Sequence, residues 1–312
     1  MTTAALRPLP PVRPPWLTRP GSRVLLLAAA LSALTLLVAL VGLGTDGRVI
    51  TGAPAWLKPL KFAVSITVYC ATLAWMLSLV RNHPRLVRTV AYVTAIALAL
   101  ELVLIVVQVV RGTTSHFNVA DPLDARVFDA MGGLITLIFL AAVVAGVLLL
   151  RQRGLPRVLG AGIRGGLVVT VLGMAAAILM LVNTDVAPGG AHTVGAPDGG
   201  PGLPLTGWST EHGDLRVAHF VGLHALQALP LLAWALQRYA SRLGELASVR
   251  LVRLATVAAA GLVVLLAWQA ERGLPLLRPD GAVVGVALAG AVLVAAAGAF
   301  VVARGLRAGV RA

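Results

Sequence analysis

Three stretches of this sequence place polar side chains at helical spacing inside apolar surroundings. The first is Trp56-Leu-Lys-Pro-Leu-Lys-Phe62 with Ser65, Tyr69 and Thr72 beyond it. Lys58, Lys61, Ser65, Tyr69 and Thr72 recur at i, i+3, i+7, i+11 and i+14, which on a helix is one narrow polar stripe. The second carries Glu101 and Gln108, seven apart on one face, with Arg111 at its end. The third runs from Gly213 to Pro230 and holds Arg216, His219, His224 and Gln227 on one side of a helix, within roughly 140° of arc. A charged group inside a bilayer costs several kcal/mol unless it is paired or hydrated, so such residues are candidates for function. Lys61 and Arg216 suit an anion. Glu101 and His224 can exchange protons. Tyr69, Gln108, Asp129 and Gln227 add hydrogen-bonding groups. Two plainer roles compete: lysines near a helix end snorkel to headgroups, and Glu101 can serve as a salt bridge or a protonated carboxyl bonded to a neighbouring helix.

His116, His219 and His224 are the candidate metal ligands. With a nearby carboxylate they could hold zinc, and two of them could hold a haem. His219 and His224 are five apart and diverge, whereas i, i+4 is the usual chelating pair, so ligands from other helices would be required. No H-E-x-x-H, C-x-x-C or C-x-x-C-H occurs.

The elements that must position these groups follow from composition. Of 312 residues, 58% are hydrophobic and 12% charged, and the mean hydropathy is +0.90. The charged share is about half the usual one. This excludes a soluble enzyme, a disordered chain and, with Cys70 alone, a disulfide scaffold. Eight apolar segments run approximately over 24–43, 60–80, 89–110, 127–150, 165–182, 215–239, 254–270 and 282–303, each about long enough to cross a hydrocarbon core of roughly 30 Å. None alternates as barrel strands do. The expected fold is all-α: a polytopic transmembrane helical bundle of eight spans. A Pro/Arg-rich cytoplasmic tail over 1–22 is expected to be flexible, and 23–312 to form a single transmembrane domain. The first apolar core is too long for a signal peptide, and no A-x-A site follows it.

Lysine and arginine sort between alternate gaps. Eighteen of the 26 fall before span one, between spans two and three, four and five, six and seven, and after span eight. By the positive-inside rule both termini are cytoplasmic, which places the protein in the cell membrane with the lipid bilayer as its first partner. The net charge of +14 is thereby a topology signal, and no nucleic-acid partner is expected. Eleven of the 12 acidic residues, all but Glu245, and five of the six histidines, all but His83, lie on the outward side or in its half of the membrane. The chemistry is expected there.

At about 1.5 Å per residue, Tyr69, Glu101 and His224 sit some 13–15 Å below the outer ends of their helices, and Lys61, Gln108, Asp129, Arg216 and His219 form a shallower layer. Spans two, three, four and six are expected to build the site, with Glu101, His224 and Lys61 converging in one outward-open cavity. Spans one and eight are expected to face lipid. Small residues such as those of Gly285–Gly290 allow close helix contact. Asp121 or Asp124 is a candidate N-cap, and Pro230 should kink its helix. The Gly/Pro-rich loop over 186–210 reads as a lid or as a plain flexible loop.

The stretches Trp56–Phe62, Ser115-His-Phe-Asn118 and Gly213–Pro230 resemble segments of multi-pass bacterial membrane proteins that carry no assigned activity. The resemblance covers about a tenth of the chain and implies a membrane location without a reaction. Three functional classes stay open. One is binding or transport of a small polar or lipid-like solute with proton coupling. The others are a membrane-embedded metal or haem enzyme, and a structural or assembly protein whose polar groups fix helix register.

Overall fold

The computed structural model describes Arg19 and residues 21–309 of the protein. The expected tail lies outside the described residues except for Arg19, Gly21 and Ser22, and Ser22 already belongs to a helix. Eight helices follow: α1 Ser22–Thr45, α2 Leu57–Ser78, α3 Pro84–Arg111, α4 Pro122–Arg151, α5 Arg157–Val182, α6 Leu215–Tyr239, α7 Gly244–Glu271 and α8 Gly281–Gly309. All eight are long and apolar enough to cross a membrane. Most extend beyond the apolar segments, because their ends carry the polar caps and arginines that meet water. Pro84 and Pro122 sit in first turns, where the missing N–H costs nothing. Asp121, rather than Asp124, caps α4 by accepting from the backbone N–H groups of Leu123 and Asp124.

The connections α1–α2, α3–α4, α5–α6 and α7–α8 lie at one end of the bundle, here called the long-loop end. The start of α1 and the end of α8 lie at the other, the terminal end. Two short antiparallel strand pairs stiffen the long-loop end: β1 (Val49–Ile50) with β2 (Ala53–Pro54), and β3 (Thr193–Val194) with β4 (Gly213–Asp214).

The helices form two groups. Helices α1, α2 and α3 pack together with α4 against α3, while α5, α6 and α7 form a second packed set with α8 on α7. Ile138, Ala141, Ala145 and Leu148 of α4 join Ile163 of α5 and Leu226 of α6 in one apolar core that seals the groups together toward the terminal end. In the first half of α4 only Asp124 and Met131 are buried, so that contact loosens toward the long-loop end.

The tightest seam is α5 on α6. A Cβ on Gly173 would lie 2.7 Å from the Gly222 Cα, and one on Gly222 would lie 2.3 Å from the Gly173 Cα. Gly162 and Gly166 likewise meet the backbone of Leu229, Pro230, Ala225 and Leu226. Close approach of this kind replaces the hydrophobic effect as a source of helix affinity in lipid. Gly285 and Gly290 of α8, expected to permit such contact, face open space. Among the described residues of α8 only Val283 and Gly305 are buried, in keeping with a mostly lipid-facing helix.

Candidate functional site

Lys58 and Lys61 enter the site from the first turns of α2, and Glu101 from the α3 helix ten residues before its end. Glu101 is 3% exposed. Its partner is a loop residue: His116 Nε2 lies 3.7 Å from Glu101 Oε1. Ten positions along α3 are about 15 Å, so the connection after Arg111 folds back over the helix ends and His116 reaches down. Asn118 shapes this return by donating to Thr113 Oγ1 and the Thr114 carbonyl, both at 2.9 Å, and by accepting from the Ala120 N–H. Ser115 Oγ bonds His116 Nδ1 at 3.0 Å and fixes the ring. At 3.7 Å the carboxyl and imidazole are close but beyond hydrogen-bond length, and Glu101 Oε2 is buried without a partner. Burial, followed by the positive charges of Lys58 and His192, holds the His116 imidazole well below its ordinary proton affinity. The loop histidine is therefore neutral at rest.

The α5–α6 connection supplies the roof. Pro201–Thr210 forms a hairpin through the Gly202–Ser209 bridge and the Leu203–Trp208 backbone bond. At its tip two consecutive carbonyls receive the site's cations. Lys61 Nζ donates to the Thr206 carbonyl at 2.8 Å, and Arg216 Nη2 to the Gly207 carbonyl at 2.6 Å. Arg216 also donates to Asp214, which is the N-cap of α6. The base of the connection is tied by Asp198, which accepts from the backbone N–H groups of His192 and Thr193 and bonds His192 Nδ1 at 2.5 Å. Burial alone would raise the Asp198 carboxyl, but these donors outweigh it and hold it below the usual carboxylate range. Phe117 stands edge-on to His192, ring centres 4.7 Å apart, and joins the two connections across the site. The connection over 186–210 is thus held by hydrogen bonds at its base and at its tip.

The two lysines differ from the other charged groups of this cluster. Asp214 is paired with Arg216 and Asp198 with His192, whereas Glu101 has only the His116 ring, 3.7 Å away. Among the described residues neither Lys58 nor Lys61 has a carboxylate within ion-pair distance, although the charges of Lys61, Arg216, Asp198 and Glu101 all act on Lys58.

Below the roof, α2 faces α6. Gln227 Nε2 donates to Thr72 Oγ1 at 3.4 Å, while Gln227 Oε1 is buried and unpartnered. Tyr69 packs against the core of the first helix group. His219 bonds the Gly173 carbonyl through Nδ1 at 2.8 Å, so that nitrogen carries its proton. His224 is exposed and stacks on Phe220. The three groups expected to share one site each engage a different partner: Glu101 meets His116, Lys61 meets Thr206, and His224 meets Phe220.

Gln108 donates to the buried Asp124 at 2.9 Å, and Arg111 donates to both. This neighbouring triad ties α3 to α4. Asp129 is exposed on α4, with no side-chain hydrogen bond among the described residues. His116, His219 and His224 do not assemble as one ligand set, and among the described residues no three His, Cys, Asp or Glu side chains gather as a metal site would require. Lys58, His192, Asp198 and Asp214 belong to the cluster beyond the residues expected. The continuation of the polar stripe through Lys58 was the signal for the first. Nothing local in the sequence pairs His192 with Asp198. Compared with known proteins, the chain matches no family model, no curated protein and no solved structure.

Proposed function

We propose that this integral membrane protein binds and transports a small anionic solute at its long-loop end, with proton exchange at Glu101 and His116. One observation carries the reading: among the described residues Lys58 and Lys61 have no carboxylate within ion-pair distance, while Asp214 is taken by Arg216 and Asp198 is held by His192. Positive charge held in partly desolvated surroundings attracts an anion far more strongly than it would in water. The lysines contribute charge, and Arg216 adds planar donors held in place by Asp214. Glu101 and His116 supply the second element. They stand 3.7 Å apart, and Glu101 keeps one oxygen open. The arginine distribution favours both termini in the cytoplasm, so this end faces outward across the cell membrane.

The test uses full-length protein in lipid nanodiscs and proteoliposomes, with a panel of small carboxylates and phosphate esters. At least one anion should raise the melting temperature, and Lys58→Ala with Lys61→Ala should remove that shift. Uptake of the same anion should follow an imposed pH gradient and lose that coupling in Glu101→Gln. A panel without any stabilising anion, or stabilisation indifferent to the double substitution, overturns the reading.

A further inference from the structure

Helices α2 and α6 both start at the long-loop end and run in the same direction. Their backbones barely touch, so they meet through side chains. Two contacts fix their register. At the top, Lys61 and Arg216 bond neighbouring carbonyls, Thr206 and Gly207. Lower down, Thr72 and Gln227 bond each other. Both pairs are separated by eleven residues on each helix, or about 16 Å. The rungs between must then be level as well: Ser65 with Phe220, and Tyr69 with His224. Beneath Gln227 the polar pattern stops, and Ile163 of α5 and Ile138 of α4 belong to the apolar core.

We propose that this seam is a hydrated half-path leading from the cation cluster to the level of Gln227, closed there by the Thr72–Gln227 hydrogen bond and the apolar seal below. Three independent features meet in it. The two polar ladders are matched in register, the backbones stand apart, and a buried acceptor, Gln227 Oε1, lacks the donor that a water or solute hydroxyl would supply. Plain helix packing would instead leave a dry seam with small residues in contact, as between α5 and α6. The path rests on the anion reading for its cargo: an anion small enough to pass Tyr69 and His224, leaving the lysines for neutral hydrogen-bonding groups.

Cysteine accessibility in proteoliposomes of the full chain tests it. In a Cys70→Ala background, Ser65, Tyr69, Thr72, Phe220, His224 and Gln227 are replaced one at a time by cysteine. A negatively charged, membrane-impermeant methanethiosulfonate is the probe, because it requires a thiolate in contact with water. Exposed Leu37 on α1 and Leu293 on α8 provide controls on helices outside the seam. The ladder positions should react at least tenfold faster than Leu37→Cys and Leu293→Cys. An anion that stabilises the protein through Lys61 should slow them. Ser65→Cys and Thr72→Cys are nearly isosteric and read out the path even if a bulkier site misfolds. Reaction at the Tyr69, Thr72, His224 and Gln227 positions no faster than at the controls makes the seam dry and overturns the proposal, while anion stabilisation, measured separately, leaves the cation site standing. Reactivity without any anion effect keeps the path and removes its cargo.

Discussion

Helix α6 presents two faces that solve opposite problems. Toward α5 it offers Gly222, and the backbones touch with no room for a methyl group. Toward α2 it offers Gln227, which bonds Thr72, while Arg216 reaches the hairpin tip beside Lys61. In lipid neither face can rely on the hydrophobic effect, because lipid tails are as apolar as the protein. The first face gains from the number of close van der Waals contacts and tolerates no change of volume. The second depends on a few hydrogen bonds and leaves buried polar atoms unsatisfied, which weakens it as structure. A seam built only for stability would resemble the first.

This contrast fails most visibly if the glycine face is soft. Gly173→Leu should cost about 3 kcal/mol or more, since the added Cβ meets backbone that cannot step aside. Size-exclusion profiles and melting temperature in detergent read this out, and a near-normal melt would show that α5 and α6 slide freely. Next comes Arg216→Ala, which leaves the fully buried Asp214 side chain without its cation. Breaking a buried pair costs about 3–5 kcal/mol; Arg216 is 21% exposed, so solvent screening brings the expected loss to about 2 kcal/mol. Lys61→Ala sharpens the other side of the comparison. Its stability should stay within about 0.5 kcal/mol, while anion affinity falls about tenfold, near 1.4 kcal/mol. Equal effects of Lys61→Ala on both quantities would mean that the lysine is a structural latch.

Smaller still is Gln227→Leu. It removes one long hydrogen bond together with one unsatisfied acceptor, so its stability should change by less than about 0.5 kcal/mol in either direction. Uptake should fall nonetheless, and unimpaired uptake would remove Gln227 from the path. The smallest effect is that of pH. Burial keeps His116 below its ordinary proton affinity and lowers that of His192 despite the neighbouring Asp198 carboxylate. The unfolded chain then binds more protons than the folded one just below the unfolded histidine value of about 6.5. Stability from these groups is full above that value and is lost as pH falls through the lower folded values. Melting temperature should drift downward between pH 7 and pH 5, and His192→Gln should flatten the drift.

The eight spans were readable because length and hydropathy report on each helix separately. Asp121 was readable as a cap candidate for the same reason, since its partners lie within three residues. The site was only partly readable. The α2 stripe from Lys58 to Thr72 and the α6 set from Arg216 to Gln227 follow from period alone, and the structure turns both into the same seam. What period cannot supply is the partner. Glu101 finds His116 only because the connection after Arg111 doubles back, and the spacing 101 to 116 looks like a helix followed by a loop. Lys58 and Lys61 are alike in sequence, yet the hairpin reaches only Lys61. Glycines in α5 and α8 look equally able to pack, and the tertiary arrangement sets Gly162, Gly166 and Gly173 of α5 against α6 while Gly285 and Gly290 of α8 face open space. A small-residue pattern states what a helix permits, while its neighbours decide what is used.

The hairpin tip has one further consequence, best put in terms of competition. The Thr206 and Gly207 carbonyls sit on Lys61 and Arg216 where the oxygens of an anion would sit, and they are attached to the same chain. A tethered occupant of this kind acts at an effective concentration of the order of millimolar. On the proposed anion reading, a solute has to displace it, so the affinity measured in solution would be lower than the bare cations would give. Carbonyl oxygens carry only partial charge, and a full anion would have the advantage over a neutral solute in that exchange. The protein's own backbone would then work as an internal reference ligand, against which any solute is compared.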